Sequence, residues 1–359
     1  MGAQWPLPAD ISGFVGRSSE SAQLAALLET GRLVTVTGPG GVGKTRLALR
    51  AAAHADSGCL VELSGLHDPE LLPDTVALCL GLQRPGAGSL IDAVLNELRG
   101  RKLLLVLDTC EHLADACALF LTAELRETSD IKVIATSRQP LHVAGDQVLR
   151  LSPLPVPDDA VDLAVMAGAG DAVELFAQRA AAADSRFTLA RADLPHVIRL
   201  CRRLDGIPLA IELAAVRVRV LPLPELAARI EAGIAAGTGT RRGGIRRHRT
   251  LQAAIGWSHR LCTDAEQAVW RRLSVFAGTF DPAIAADVIA DGASVPAERA
   301  GELIRELVDK SIVLPAPAGR YRLLDSVREY GAARLLAAGE DAAYRGRHLA
   351  RYLAISVTV

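Results

Sequence analysis

The residues Gly38-Pro39-Gly40-Gly41-Val42-Gly43-Lys44-Thr45 fit the spacing G-x-x-x-x-G-K-[ST]. That spacing suits phosphate chemistry. Glycines let successive backbone N–H groups turn inward around an anion, which side chains would obstruct. A helix beginning at Lys44 adds its positive N-terminal end. Lys44 is placed to reach β- and γ-phosphates, and the Thr45 hydroxyl to bind Mg2+. Gly38, Pro39, Gly40, Gly41, Val42, Gly43, Lys44, Thr45 and the next residue, Arg46, form the expected nucleotide-binding set. A glycine-rich turn with no ligand is the plain alternative. The apolar stretch Leu33–Thr37 before the loop and the alanine/leucine helix after it favour the phosphate loop.

A second acid-bearing stretch follows. Leu103-Leu104-Leu105-Val106-Leu107-Asp108 describes a buried parallel strand that ends in a carboxylate. Ligands in such sheets bind at the C-terminal edge, so Asp108 is the candidate Walker B acid that holds Mg2+ with Thr45. A helix-capping aspartate is the alternative. Glu111, three residues on, could polarise an attacking water or could be a surface residue in a turn. Thr109 stands where vigorous ATPases often carry a second acid, which argues for slow hydrolysis. Ser137-Arg138 follows a strand at about Lys132–Thr136. Arg138 there fits a γ-phosphate sensor, offering a charge-assisted bond to ATP that ADP cannot receive. A solvent-exposed loop arginine is the competing reading.

These side chains need an alternating strand and helix framework. The pattern predicts helices at about Glu20–Glu29, Thr45–Ala55, Leu71–Leu80, Ser89–Leu98 and Leu113–Glu127, with further strands at Cys59–Leu63 and Gln147–Leu151. Ser89 and Asp92 have capping-box spacing, and Gly100 reads as a stop. Pro153, Pro155 and Pro157 break the chain and mark a boundary. Residues 158–237 read as helices only, at about Ala172–Ala183, Asp193–Leu204, Pro208–Val220 and Leu223–Ile230. Pro208 opens one of them, the ordinary place for a helical proline. Residues 238–249 carry Arg241, Arg242, Arg246, Arg247 and Arg249 among glycines, a basic hinge more than a phosphate-binding arm. Residues 250–340 read as helices at about Thr250–Leu261, Asp264–Val275, Asp281–Ala290 and Ala297–Lys310. A hairpin, Ile312–Leu314 with Tyr321–Leu323, and a helix from Ser326 follow. That is winged-helix order. Helix 297–310 would be the groove reader, but Glu298, Glu302, Glu306 and Asp309 make it net acidic, so direct DNA binding is not expected. Residues 341–359 read as the start of a C-terminal helical region.

The bulk composition is consistent with several domains. The chain has 359 residues, half of them apolar, and a net charge of −1, which gives no nucleic-acid or membrane signature. Lys44, Lys102, Lys132 and Lys310 are its only lysines. Residues 1–13 read as a linker without a signal peptide, and no apolar run is long enough to span a bilayer. Six cysteines form no C-x-x-C pair and are expected to be reduced core thiols of a cytoplasmic protein.

Taken in order, Phe14-Val15-Gly16-Arg17, Gly38–Thr45, Leu105–His112, Ala135–Arg138, Gly206-Ile207-Pro208-Leu209-Ala210 and Tyr321–Tyr330 resemble the nucleotide-binding core of STAND-class, NB-ARC-type ATPases. The resemblance is to the form found in actinobacterial SARP-type and LuxR-type transcriptional regulators. It implies an α/β P-loop NTPase domain with a parallel sheet, then a small helical domain and a winged-helix domain. It implies that the sensor strand lies between the P-loop strand and the Walker B strand. It also implies that Val15, Gly16 and Arg17 face Pro208 and Leu209 across an adenine. The implied function is an ATP/ADP switch whose ATP state self-associates, with DNA-binding and helical-repeat sensor domains outside this chain. Two positions depart from the pattern. Leu324 precedes Asp325 where relatives carry a histidine that contacts ADP, and Thr109 replaces a common asparagine. Competing functions are a dedicated ATPase or kinase, and a DNA-binding module acting through the winged helix.

Overall fold

The computed structural model describes residues 7, 13–82, 89–157, 170–237, 252, 255, 256, 258–310 and 312–356. The linker expected at 1–13 lies mostly outside these residues, and the basic stretch 238–249 entirely so. The chain divides into two compact units, Met1–Ser152 and Pro153–Val359.

The first unit alternates helix and strand: α1 (Ser18–Thr30), β1 (Leu33–Thr37), α2 (Lys44–Ala53), β2 (Gly58–Glu62), α3 (Leu72–Cys79), α4 (Leu90–Leu98), β3 (Leu103–Asp108), α5 (Ala114–Glu127), β4 (Ile131–Ser137) and β5 (Asp146–Arg150). The five strands form one parallel sheet in the order β2-β3-β4-β1-β5. β4 lies between β1 and β3, as the resemblance implies.

The period-2 alternation of a strand explains why β3 is apolar throughout. Leu103, Leu105 and Leu107 enter a core shared with Val76 of α3, Val94 and Leu98 of α4 and Phe120 of α5. Leu104 and Val106 enter the opposite core, with Leu24 of α1 and Leu47 and Ala48 of α2. Both faces are covered, so polar groups collect where the strands end. All strands run the same way, which brings the ends of β1, β3 and β4 to one edge. The Ser89–Asp92 capping box is not formed: no side chain caps α4, although its start is as expected.

The second unit begins with α6 (Asp171–Ala183), α7 (Leu194–Arg203), α8 (Pro208–Ala215) and α9 (Leu223–Gly237). α6 packs on α8 and α7 on α9. The helix expected over 208–220 is shorter, because Val216–Arg219 tightens into a 3-10 turn. Gly206 precedes α8 at φ +65, and a Cβ there would lie 2.3 Å from the Leu154 carbonyl oxygen. Only glycine fits that approach, which is fastened by a Leu154 N–H bond to the Gly206 carbonyl at 2.9 Å.

Further on, helical residues within 252–260 precede α10 (Asp264–Leu273), β6 (Thr279–Phe280), α11 (Pro282–Ile289), α12 (Ala297–Asp309), β7 (Val313–Ala316), β8 (Arg320–Leu323), α13 (Asp325–Ala337) and α14 (Asp341–Ser356). The hairpin has a third, two-residue strand, giving the order β6-β8-β7. Pro315 lies inside β7, tolerable because β7 is an edge strand. In α12, Leu303, Ile304 and Leu307 are buried, the core role their spacing predicts. Trp270 is fully buried, donates to the Val327 carbonyl at 3.1 Å and packs on His259 and Tyr330. Burial, and then Arg334, Arg271 and Arg260, lower His259 from its ordinary 6.5 to about 4, so it is neutral near pH 7. Among the described residues no helix is long and apolar enough to cross a membrane. The six cysteines are free, and all but Cys79 are buried.

Candidate functional site

The site is built where β1 ends and α2 begins. Gly43 is the N-cap of α2 at φ +100, a left-handed conformation that favours glycine. An added Cβ there would meet no protein atom within 4 Å, so the loop is open on that side. α2 has no capping side chain and no acid in its first turn. Its leading N–H groups and positive end are therefore presented with no capping side chain of the helix's own. Lys44 Nζ donates to the loop's own Gly38 and Pro39 carbonyls at 2.9 and 3.1 Å, which holds the ammonium over the loop.

Asp108, the last residue of β3, is buried. Its Oδ1 accepts from Thr45 Oγ1 at 2.7 Å and from Thr136 Oγ1 at 2.5 Å. The P-loop hydroxyl and the strand carboxylate are thus in direct contact, two hard oxygen donors of the kind Mg2+ selects. Among the described residues there is no cluster of three or more His, Cys, Asp or Glu able to hold a metal. The Thr45–Asp108 pair offers two of the oxygens that such a cation takes.

Thr136 is a participant whose role sequence reasoning missed. It is buried in β4, donates to Asp108, and accepts from the Thr109 N–H at 2.9 Å. A polar residue near the end of an otherwise buried strand, beside the Walker B strand, was the available signal. Thr109 sits at φ +67, a strained conformation for a β-branched residue. Its hydroxyl lies 3.4 Å from Asp108 Oδ2. Cys110 beside it is a core thiol. The hydrogen bond with Cys117, then burial, push it well above its ordinary 9, so it stays neutral.

Arg138 is the first residue after β4, and Glu111 lies in the turn after β3. The adjacency of those strands brings the two side chains together, with Arg138 Nε 2.8 Å from Glu111 Oε1. Glu111 Oε2 is buried and has no hydrogen-bond partner among the described residues.

The segment before α1 lies against the loop. Val15 is buried, Gly16 and Arg17 both have positive φ, and the buried Arg17 donates to the carbonyls of Val42 at 3.3 Å and Ser152 at 2.5 Å. Arg17 also pairs with Glu20. Arg46 bonds the Gly13 carbonyl and lies 5.9 Å from the Phe14 ring, tying the preceding segment to α2. Pro208 and Leu209 belong to the second unit. Pro208 fills the first helical position of α8, its expected initiating place, and Leu209 is buried.

No protein-family profile matches the chain. The Mycobacterium tuberculosis protein named "Putative HTH-type transcriptional regulator Rv0890c" is 38% identical over 342 residues, covering 94% of this chain and 37% of that protein. Rv0894 of the same organism, a protein without an assigned role, is 36% identical over 348 residues, covering 94% of this chain and 85% of that protein. The chain thus spans little more than a third of the regulator it matches. In fold it is similar to the crystal structure of PH0952 from Pyrococcus horikoshii, a STAND protein with a tetratricopeptide repeat sensor. The TM-score is 0.62 at 17% identity, over 98% of this chain and 47% of that one. The chain belongs to the family of Rv0894, is similar over 94% of its length to part of Rv0890c, and shares the fold of the STAND protein PH0952.

Proposed function

We propose that this chain is the nucleotide-responsive switch of a transcriptional regulator, binding ATP or ADP with Mg2+ and hydrolysing ATP slowly at most. The observation that carries the reading is the contact of Thr45 with Asp108 beneath a loop crossed by Lys44. Gly38–Gly43 backbone N–H groups and Lys44 would hold the phosphates, and Thr45 and Asp108 the Mg2+. When bound, the nucleotide supplies a γ-phosphate whose presence or loss distinguishes two states. Thr136 keeps the Asp108 carboxylate oriented, and Arg138 stands at the same edge as the residue that responds to the third phosphate.

Val15, Gly16 and Arg17, with Pro208 and Leu209, are proposed as the adenine side of the site. The hairpin and helices from α10 onward are proposed as a winged-helix domain that regulates rather than reads DNA. On its α12, Arg299 is paired with Glu302 and Glu306, which leaves little positive charge for phosphates. DNA binding, signal sensing and assembly in the ATP state are assigned to the full-length regulator in the cytoplasm.

The reading is tested by denaturing the purified protein and resolving the supernatant by ion exchange. ADP or ATP in near-stoichiometric amount is expected. An extract free of nucleotide, together with no binding of added MgADP, would contradict it.

A further inference from the structure

Two side chains at the candidate site that can respond to a third phosphate are bonded to each other. Glu111 is 19% and Arg138 36% exposed, and their Nε–Oε1 separation is 2.8 Å. A guanidinium forms the same kind of charge-assisted bond with a carboxylate as with a phosphate oxygen. One Nε–H cannot point at both. A triphosphate that recruits Arg138 through this Nε edge must draw it from Glu111, and the same pairing fixes where the terminal N–H groups of the fork lie. A diphosphate, which has no third phosphate to offer, makes no such demand.

We propose that Glu111 sets the discrimination between nucleoside triphosphate and diphosphate by holding Arg138 at the end of β4. This inference rests on reading Gly38–Thr45 as the nucleotide site. Glu111 is a positioning residue that acts through Arg138. Its second carboxylate oxygen is buried and has no hydrogen-bond partner among the described residues, so the Arg138 contact is the hydrogen bond that the structure gives this carboxylate. The pair raises the affinity threshold for the triphosphate and leaves the diphosphate unaffected.

The test is calorimetric titration of MgADP and of the magnesium salt of an imido-bridged, non-hydrolysable ATP analogue. It uses the whole chain and four forms: unmodified, Glu111→Gln, Arg138→Ala and the double variant. Glu111→Gln keeps size and removes charge. The analogue is expected to bind it about two- to fivefold more tightly, the range of a half-exposed ion pair, with MgADP affinity unchanged. In the Arg138→Ala background the same substitution is expected to change neither affinity. Glu111→Asp keeps the charge and shortens the reach, and shifts the ratio in the same direction. It serves where Glu111→Gln folds poorly.

An unchanged ratio in Glu111→Gln overturns the proposal, as does equal tightening of both nucleotides. Persistence of the effect without Arg138 also overturns it, because Glu111 would then act by direct repulsion of the phosphate. If the unmodified protein binds neither nucleotide, the reading of the loop itself falls. If it binds both and the ratio does not move, the loop stands and only the role of Glu111 falls.

Discussion

Arg138 in the first unit and Arg272 in the second both face carboxylates, yet their surroundings assign them opposite tasks. Arg272 is 2% exposed. It bonds Asp291 at 2.7 Å, Glu340 at 3.1 Å, Ser294 at 2.9 Å and the Ile289 carbonyl at 3.0 Å, and lies 4.5 Å from the Tyr344 ring. Burial alone would raise the Asp291 carboxyl. Hydrogen bonds from the Val295 N–H, Arg272 and Ser294 outweigh it and hold Asp291 well below the usual range. That network ties α10 to the loop after α11 and to the junction of α13 with α14. Arg138 is partly exposed, sits at a strand end, and has an ion-pair partner that can be exchanged for another anion. A guanidinium enclosed by fixed partners serves the fold. One held at an open sheet edge can serve a ligand.

The comparison is broken most directly by truncating both arginines. Arg272→Ala removes a buried guanidinium from the partly exposed Asp291 and Glu340, of which Glu340 keeps Arg271, and is expected to cost about 2–3 kcal/mol in a urea melt. Arg138→Ala is expected to cost at most about 1 kcal/mol, since its pair is half-exposed, while changing the triphosphate to diphosphate affinity ratio. Equal losses of stability would erase the distinction.

A smaller effect sharpens the same contrast at the end of β3. Thr109 is β-branched and left-handed at φ +67. Asparagine tolerates that backbone better, and Thr109→Asn is expected to stabilise the first unit by about 1 kcal/mol. A loss instead would mean that the 3.4 Å hydroxyl contact with Asp108 outweighs the backbone strain.

Much of this was legible in the residues themselves. The Gly38–Thr45 loop is local: its glycines and Lys44 are contiguous, and the apolar runs around β1 and β3 declare buried parallel strands. The order β4 between β1 and β3 came from the resemblance, because hydrophobic runs do not encode strand neighbours. Register explains what was missed. Thr136 matters because β4 lies beside β3, and Glu111 meets Arg138 for the same reason. β6 has two residues, too few for any alternation to register. The first hairpin strand is expected to end at Leu314, yet β7 continues through Pro315 to Ala316, which its place at the sheet edge permits. The Ser89–Asp92 spacing suggested a cap that does not form, since spacing alone cannot orient a side chain.

The central claim is that Gly38–Thr45 holds a nucleotide through Lys44 and the Thr45–Asp108 pair. Calorimetric titration of MgADP into the unmodified protein and into Lys44→Ala tests it most directly. Saturable one-to-one binding is expected, with affinity lowered about tenfold or more when the ammonium is removed. Equal affinity in the two proteins would contradict the assignment.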